Sequence, residues 1–328
     1  MAHAPEPRPR FGAMLGQFRR VRSRAAPDAL VLYSAYGAGG RAVLEGRVID
    51  HQVAHPPAPV DSRRANLRRN LRLLFNKERA FFPVTAGLQG RHWRTHTDAE
   101  GYFRIEMHGL AALTPGWHEV QATAGAATAS IPMLLAPPEN VFGVISDFDD
   151  TLMITEVVRL RRMLANTLLR NPLQRKVVPG MPALFHALAA RNPLPSAAPI
   201  FYVSASPRQL HMPLQAVLDH HGFPPGVLIT KRLTNDATRE PLRDQLKYKL
   251  KRFEEILERA PHVTFTLIGD DGERDPEIFH VLRERHPQRV ADIWIRRVHP
   301  NPARVRIAGQ GDLQELLAGG LDASRLEA

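Results

Sequence analysis

Three carboxylates directly follow an apolar run near the middle of the 328-residue sequence. The run is Val141–Ile145, and the acids are Asp147, Asp149 and Asp150. Like charges this close repel one another, so the fold must supply something that offsets them. The chain has no cysteine, which excludes disulfides, thiolate zinc sites and cysteine nucleophiles. A cluster of hard oxygen ligands without cysteine suits Mg²⁺.

Polar side chains also follow two later apolar runs, at the points where these runs end. Ser204 and Ser206 come after PIFYV, and Asp270 and Asp271 come after VTFTLIG. Apolar runs that alternate with helical segments predict a parallel sheet with helices on both faces. In such a sheet, ligands bind beyond the carboxyl ends of the strands, so we expect these side chains to lie close together.

This set of residues suits phosphoryl transfer. Asp147 and Asp270 are candidate ligands of Mg²⁺, which together with a lysine would neutralise a phosphoryl group. One carboxylate can attack phosphorus, and a second one two residues later can act as general acid and then activate water. Ser204 can donate a hydrogen bond to a phosphoryl oxygen. Three lysines lie on the helical segment before VTFTLIG, and each of them could supply this positive charge. They are Lys247, Lys249 and Lys251.

The order of these motifs resembles the haloacid dehalogenase phosphohydrolases. More narrowly, GVISDFDDT, FYVSASP, YKL…EEIL and LIGDDGERDPEIF are similar to the actin-patch-associated phosphatidate phosphatases, distant relatives of the lipins. The resemblance covers most of residues 141–300. It implies a Rossmann-like parallel sheet and a Mg²⁺-dependent reaction that converts phosphatidate to diacylglycerol and phosphate through an aspartyl-phosphate intermediate.

The resemblance implies roles for the residues that handle the phosphate. Asp147 is expected to be the nucleophile and a metal ligand. Asp149 is expected to be the general acid and base, with its backbone carbonyl on the metal. Ser204 and Lys249 are expected to bind the phosphate, and Lys247 is the second candidate for the lysine.

The resemblance also implies roles for the remaining polar residues of these motifs. Asp270 is expected to be a metal ligand, and either Asp271 or Asp275 completes the acidic group. Asp150 is expected to be non-catalytic, either solvated or orienting the turn. The hydroxyl of Thr151 is expected to cap the departing loop.

The composition divides the chain into three predicted segments. Residues 1–27 form a basic N-terminal segment, residues 28–138 a smaller β-rich domain, and residues 139–328 the phosphatase domain. In the second segment, TDAEGYF resembles transthyretin-like and carboxypeptidase-regulatory-like β-sandwiches, with a glycine that supplies positive φ at a turn. The expected fold class is therefore α/β, a Rossmann-like haloacid dehalogenase sheet preceded by a sandwich-like domain.

The formal net charge of +11 favours anionic partners. Two basic segments, residues 61–82 and 151–172, suggest that this partner is a phospholipid at a membrane surface. The stretch DSRRANLRRNLRLLFNKERAFF predicts an amphipathic helix, which either contacts a membrane or packs on the β-rich domain. Residues 151–172 are expected to form the flap of a haloacid dehalogenase fold. No large cap domain fits between Thr151 and Pro199, so we expect an open site.

Other functions stay open at this point. The same chemistry suits a phosphoprotein, a nucleic-acid end or a soluble phosphomonoester, and a non-catalytic phospholipid-binding module is a further alternative. We expect no specific nucleic-acid partner, because no helix-turn-helix, zinc or RNP pattern is present. The sequence shows neither a secretory leader nor eighteen consecutive apolar residues, so the expected location is cytoplasmic with peripheral membrane contact.

Overall fold

The computed structural model of the chain describes residues 29–49, 79–153, 176–232, 245–298, 304 and 306–319. The basic segment 1–27 and nearly all of the amphipathic helix predicted from Asp61 lie outside these residues, as do residues 154–172 of the predicted flap. In the described part, no helix combines the length and the apolar character needed to cross a membrane.

Seven strands build the N-terminal part of the structure. They are β1 (Ala29–Ala38), β2 (Arg41–Ile49), β3 (Pro83–Leu88), β4 (Arg91–His96), β5 (Tyr102–Met107), β6 (Gly116–Ala124) and β7 (Ala127–Leu135). Their order is β4-β3-β6-β7-β1-β2-β5, and all pairs are antiparallel except β1 with β7. The prediction of a β-rich part is confirmed.

These strands form one sheet, whereas the sequence predicted a sandwich. Strand β1 bonds to β2 on one side and to β7 on the other, and so joins all seven strands into a single hydrogen-bonded sheet. The edge strands β4 and β5 approach each other, so the sheet curls around an apolar core. The sandwich was expected from the resemblance of TDAEGYF alone, and a single curled sheet takes the place of the two facing layers that it implied.

Turn residues set the pairing of these strands. Gly39 and Gly40, with φ of 57° and 81°, form the two-residue turn between β1 and β2. Before β5, the Asp98 carboxylate accepts hydrogen bonds from the backbone N–H groups of Glu100 (2.9 Å) and Tyr102 (3.0 Å). Gly101 has a φ of 77°, which confirms the turn predicted from TDAEGYF.

Six parallel strands form the second sheet. They are β8 (Phe142–Asp147), β9 (Ile200–Pro207), β10 (Val227–Lys231), β11 (Thr264–Asp270), β12 (Val290–Arg296) and β13 (Gly311–Asp312). The order is β10-β9-β8-β11-β12-β13, so β8 lies in the middle between β9 and β11. The apolar runs described above predicted β8, β9 and β11, whereas the two-residue β13 was not predicted.

Helices cover both faces of this sheet, as predicted. They are α1 (Asp149–Leu152), α2 (Met181–Ala189), α3 (His211–His220), α4 (Gln245–Arg259), α5 (Asp275–Arg285) and α6 (Leu313–Ala318). Successive strand residues point to opposite faces. Val144 therefore belongs to the apolar core that contains α2, α3 and α6, whereas Ile145 belongs to the core that contains α4 and α5.

The two sheets are packed against each other. Tyr36, Val43 and Leu134 from the N-terminal sheet belong to the same apolar core as α4 and α5. The connection between the sheets is also fixed, because Asn140, between β7 and β8, is fully buried. Its amide donates to the backbone oxygens of Leu194 (2.8 Å) and Ala197 (3.0 Å).

A buried glutamate lies at this junction. Glu45 on β2 contacts Arg208, which directly follows β9, with an N–O distance of 2.5 Å. It also contacts Arg104 on β5 (2.9 Å) and Arg252 on α4 (3.7 Å). Burial acts to raise the pKa of Glu45, but the three guanidinium groups outweigh it and lower the pKa from 4.5 to about 2.

We predict that Glu45→Gln lowers the free energy of unfolding by about 3 kcal/mol at pH 7, since one pKa unit corresponds to about 1.4 kcal/mol. Because the folded-state pKa is depressed, this contribution is present above pH 4.5 and is lost as the pH falls towards 2. Urea unfolding between pH 7 and pH 3 should therefore show the two proteins converging below pH 4.5.

The matched control is Glu119→Gln, which changes an exposed glutamate of the same sheet. Its free energy of unfolding should stay within about 0.5 kcal/mol of the parent at every pH. A Glu45→Gln deficit that does not depend on pH would contradict the ionic origin of the stabilisation.

Candidate active site

The predicted catalytic residues lie at the edge of the parallel sheet where β8 and β11 end, and we call this the catalytic edge. Asp147 is the last residue of β8 and is 1% exposed, and the fully buried Phe148 follows it. The single helical turn α1 then carries Asp149 and Thr151 back over the strand end. This turn separates the surroundings of Asp147 from those of Asp149.

Lys249 reaches this edge from α4 and is fully buried. Its ammonium group contacts Asp147 Oδ1 at 2.8 Å, Asp275 Oδ1 at 2.6 Å and Glu273 Oε2 at 3.0 Å. The other two candidate lysines are exposed; they are Lys247 and Lys251. Of the three lysines that the sequence left open, the structure brings Lys249 to the carboxylates.

Asp270, the last residue of β11, lies on the other side of Asp147. The hydroxyl of Thr151 is 3.2 Å from Asp147 Oδ2 and 3.1 Å from Asp270 Oδ2. Because a hydroxyl has one proton, it can donate to only one of these carboxylates at a time. Asp270 Oδ1 accepts hydrogen bonds from the N–H groups of Gly272 (2.7 Å) and Glu273 (3.3 Å), which fix its orientation.

Two serines hold Asp149 on the opposite side. Ser204 Oγ donates to Asp149 Oδ2 at 2.8 Å, and Ser206 Oγ lies 3.4 Å from Asp149 Oδ1. The N–H of Ser206 donates to Ser204 Oγ at 3.0 Å. All three side chains are buried. The acid predicted to transfer protons is therefore bound by hydroxyls, whereas the acid predicted to attack is bound by an ammonium group.

The two acids considered as alternatives, Asp271 and Asp275, point in different directions. Asp271 accepts a hydrogen bond from the N–H of Val298 (2.8 Å) and pairs with Arg297 (3.6 Å), away from the cluster. Asp275 opens α5, is fully buried and joins Asp147 and Asp270. The structure thus places Asp275, and not Asp271, at the catalytic edge.

Asp147, Asp270 and Asp275 offer oxygen atoms that all lie within 4.8 Å of one another. Burial raises the pKa of Asp147 to about 7, and the charges of Asp270 and Glu273 act in the same direction against Lys249. One ammonium group therefore does not offset this cluster. A divalent cation with a preference for hard oxygen ligands fits this donor set. The Asp149 carbonyl, also predicted to touch the metal, accepts a hydrogen bond from Met153 (3.0 Å).

The sequence interpretation missed several contacts of the site. It expected Thr151 to cap a loop, whereas the hydroxyl lies between two carboxylates. Asp147 lies on β8 and not on α1, so helical spacing did not indicate this contact. Glu273 and Ser206 were not among the predicted site residues. Asp150 belongs to α1, and residues 154–172 of the predicted flap lie outside the described residues.

Comparison with known proteins identifies a similar family. Residues 142–297 match the family model described as "Phosphatidate phosphatase APP1, catalytic domain". Phosphatidate phosphatase APP1 of Saccharomyces cerevisiae is 29% identical over 154 residues, which are 47% of this chain and 25% of that protein. An uncharacterized protein of Schizosaccharomyces pombe is 28% identical over 159 residues, which are 48% of this chain and 26% of that protein. These matches confirm the narrower resemblance predicted from the strand-end motifs, to the actin-patch-associated phosphatidate phosphatases.

The similarity has a limited extent. The chain spans about a quarter of the length of these two curated relatives. Among solved structures, a carbohydrate acetylesterase from Xanthomonas citri aligns over 80% of this chain and 66% of its own, with 11% identity and a TM-score of 0.28. A TM-score this low shows neither a shared fold nor a shared activity.

We predict that Lys249→Met lowers the free energy of unfolding by about 3 to 5 kcal/mol in the presence of EDTA, because it leaves buried carboxylates without their cation. Lys251→Met is the matched control, since Lys251 is exposed on the same helix, and its effect should stay within about 0.5 kcal/mol. Urea unfolding measures both variants. Equal effects of the two substitutions would contradict the assignment of Lys249.

Proposed function

We propose that this chain is a Mg²⁺-dependent phosphatidate phosphatase of the haloacid dehalogenase type, which forms an aspartyl-phosphate on Asp147. The observation that carries the proposal is the meeting of Asp147, Asp149, Ser204, Lys249 and Asp270 at one edge of a parallel sheet. The similarity of residues 142–297 to a phosphatidate phosphatase catalytic domain supports the substrate.

The order of the strands supports the haloacid dehalogenase assignment. Strand β8 lies in the middle of the parallel sheet and ends in the acid proposed as nucleophile. The chain continues to β9 and β10 on one side and then crosses to β11 on the other, which opens a crevice at the carboxyl end of β8. The proposed reaction takes place in this crevice.

The residues present fit a Mg²⁺ ion. Asp147, Asp270 and Asp275 would hold it through carboxylate oxygens. The family resemblance adds the Asp149 carbonyl as a further candidate ligand. When bound, the ion supplies positive charge that stabilises the charge developing on the phosphoryl oxygens. Lys249 provides a second cation beside the same carboxylates and is placed to bind a phosphoryl oxygen.

The division between the two acids suits a two-step displacement. The Asp147 carboxylate attacks phosphorus, and the bond from phosphorus to the diacylglycerol oxygen breaks as that oxygen takes a proton from Asp149. Asp149 then removes a proton from water, which attacks the phosphorus and breaks its bond to Asp147. Phosphate is released and both acids return to their starting state. Ser204 and Ser206 orient the Asp149 carboxyl group throughout.

A non-catalytic phospholipid-binding module is the weaker proposal. Such a module needs no nucleophile, yet Asp147 and Asp149 are both present. Each has its own buried partner, Lys249 for Asp147 and Ser204 for Asp149. A phosphoprotein, a nucleic-acid end or a soluble phosphomonoester would use the same residues, so these substrates are separated by assay. Because phosphatidate resides in a bilayer, the proposal includes peripheral contact with a membrane surface.

We predict different responses to Mg²⁺ for a pair of adjacent substitutions. MgCl₂ should raise the thermal unfolding midpoint of the parent and of Asp271→Asn, because Asp271 points towards Arg297 and Val298. It should not raise that of Asp270→Asn, which removes a proposed ligand. Differential scanning fluorimetry with and without EDTA measures the shift independently of activity. A Mg²⁺ response retained in Asp270→Asn would contradict the proposed site.

We predict that the protein releases phosphate from phosphatidate in mixed vesicles faster than from a soluble aryl phosphate at equal Mg²⁺. Asp147→Asn should reduce both rates by at least about 1,000-fold, as expected for loss of a nucleophile. Circular dichroism checks that the variant is folded. Equal rates on the two substrates would contradict the lipid proposal and leave the phosphatase proposal standing. No release from either would contradict both.

A further inference from the structure

A polar cavity of about 480 Å³ lies at the junction of the two sheets. Tyr102 and Arg104 on β5 line one wall, and Arg208, Arg232 and Arg252 line the other. None of the predicted catalytic residues is among the described residues that line it. Its volume is within the range of small-molecule binding sites.

The lining of this junction cavity is rich in charged side chains. Its cations are Arg104, Arg208, Arg232, Lys251 and Arg252. Three carboxylates oppose these five cations, and they are Glu45, Asp98 and Glu255. Glu100 and Glu106 lie outside the lining but pair with Arg232 and Arg104, so arginines in a network of ion pairs border the cavity.

Tyr102 contributes a buried hydroxyl to this lining. The side chain is 3% exposed, and its hydroxyl finds no hydrogen-bond partner among the described residues. Three guanidinium groups surround the ring, with distances to its centroid of 4.3 Å for Arg232, 4.6 Å for Arg47 and 5.7 Å for Arg208. A buried polar group without a partner is costly, so a ligand that accepts from this hydroxyl gains affinity.

Arg232 provides a second donor of the same kind. It directly follows β10 and pairs with Asp98 at 2.7 Å and Glu100 at 3.0 Å through its terminal nitrogens. Its Nε is buried and has no hydrogen-bond partner within the described part of the chain. Burial raises the pKa of Tyr102, so at neutral pH its hydroxyl also keeps the proton that it donates.

We propose that the junction cavity is a second phosphate-binding site, separate from the Asp147–Lys249 cluster. The ligand is a phosphate group, either on a phospholipid headgroup or as free inorganic phosphate. Its tetrahedral oxygens accept from donors on several sides, as Tyr102, Arg208 and Arg232 would present them. The planar guanidinium fork matches phosphate oxygens in particular.

The cavity flanks the catalytic edge. Arg208 lies two residues after Ser206, and Lys251 and Arg252 lie on α4 just beyond Lys249. A phosphate held there would therefore bind beside the catalytic cluster, on the side that faces the N-terminal sheet. This placement gives the N-terminal sheet a direct part in ligand binding, since Tyr102 and Arg104 belong to β5.

Phosphate binding to the full chain tests this site. Equilibrium dialysis with radioactive inorganic phosphate and EDTA should give one site on the parent, because without a divalent cation the carboxylates of the Asp147–Lys249 cluster repel an anion. Tyr102→Phe and Arg232→Gln should each weaken this site by about tenfold, as expected for the loss of one hydrogen bond to a charged group. Arg94→Gln is the matched control, because it removes an exposed arginine of the same sheet and should leave the site unchanged.

The two sources of phosphate are distinguished by a second arm. Phosphatidylcholine vesicles with and without phosphatidate are sedimented with the same variants, all carrying Asp147→Asn so that the lipid stays intact. Phosphatidate-dependent binding that falls in Tyr102→Phe and Arg232→Gln identifies a headgroup site. An effect confined to dialysis identifies a free-phosphate site. Neither arm requires the protein to be a phosphatase.

Unfolding measurements separate this proposal from damage to the fold. Tyr102→Phe removes a hydroxyl without a partner, so without phosphate its free energy of unfolding should equal or exceed that of the parent. The proposal is overturned if Tyr102→Phe and Arg232→Gln bind like Arg94→Gln in both arms. It is also overturned if their binding falls only in proportion to a loss of folded protein.

Discussion

One buried ammonium group organises the catalytic edge. Burial acts to lower the pKa of Lys249, but the carboxylates of Asp147, Asp275 and Glu273 outweigh it and hold this pKa well above its usual value. An ion pair this deep is tolerated only with good geometry, so α4 must reach the ends of β8 and β11 at a fixed depth. The depth of α4 also sets the orientation of Asp147 and Asp275, because both carboxylates contact the Lys249 ammonium group. Glu45 then fixes α4 from the other side through Arg252.

The second constraint is the helical turn α1 after β8. It places two acids that are neighbours in sequence in unlike surroundings, Asp147 beside an ammonium group and Asp149 beside two serines. Two carboxylates in one environment would compete for one proton, whereas two environments allow distinct roles. The buried Phe148 holds the turn against the sheet and so keeps the two sets of partners apart.

The sequence predicted the meeting of Asp147, Ser204 and Asp270 because parallel strands place their carboxyl ends at one edge, so the strand assignments were sufficient. The residues alone left three lysines open, since the choice depends on the depth to which one face of α4 is buried. The family resemblance favoured Lys249, which the structure places beside the carboxylates. The sequence also left open whether Asp271 or Asp275 completes the acidic group. Strand alternation turns the residue after Asp270 away from the cluster, and the start of α5 returns Asp275 to it. The partners of Glu45 were not predictable, because Arg208 lies 163 residues away.

The position of β8 in the middle of its sheet affects the order in which the chain can assemble. Its hydrogen-bonded neighbours are β9 and β11, and β11 begins only at Thr264. Among the described residues, all seven strands of the N-terminal sheet lie before Ala136. During synthesis it can therefore close first, with Tyr36 and Leu134 presenting an apolar surface that α4 later covers. The N-terminal sheet would thus provide the surface on which α4 packs later. Until α4 has been synthesised, this apolar surface is exposed to solvent and can aggregate.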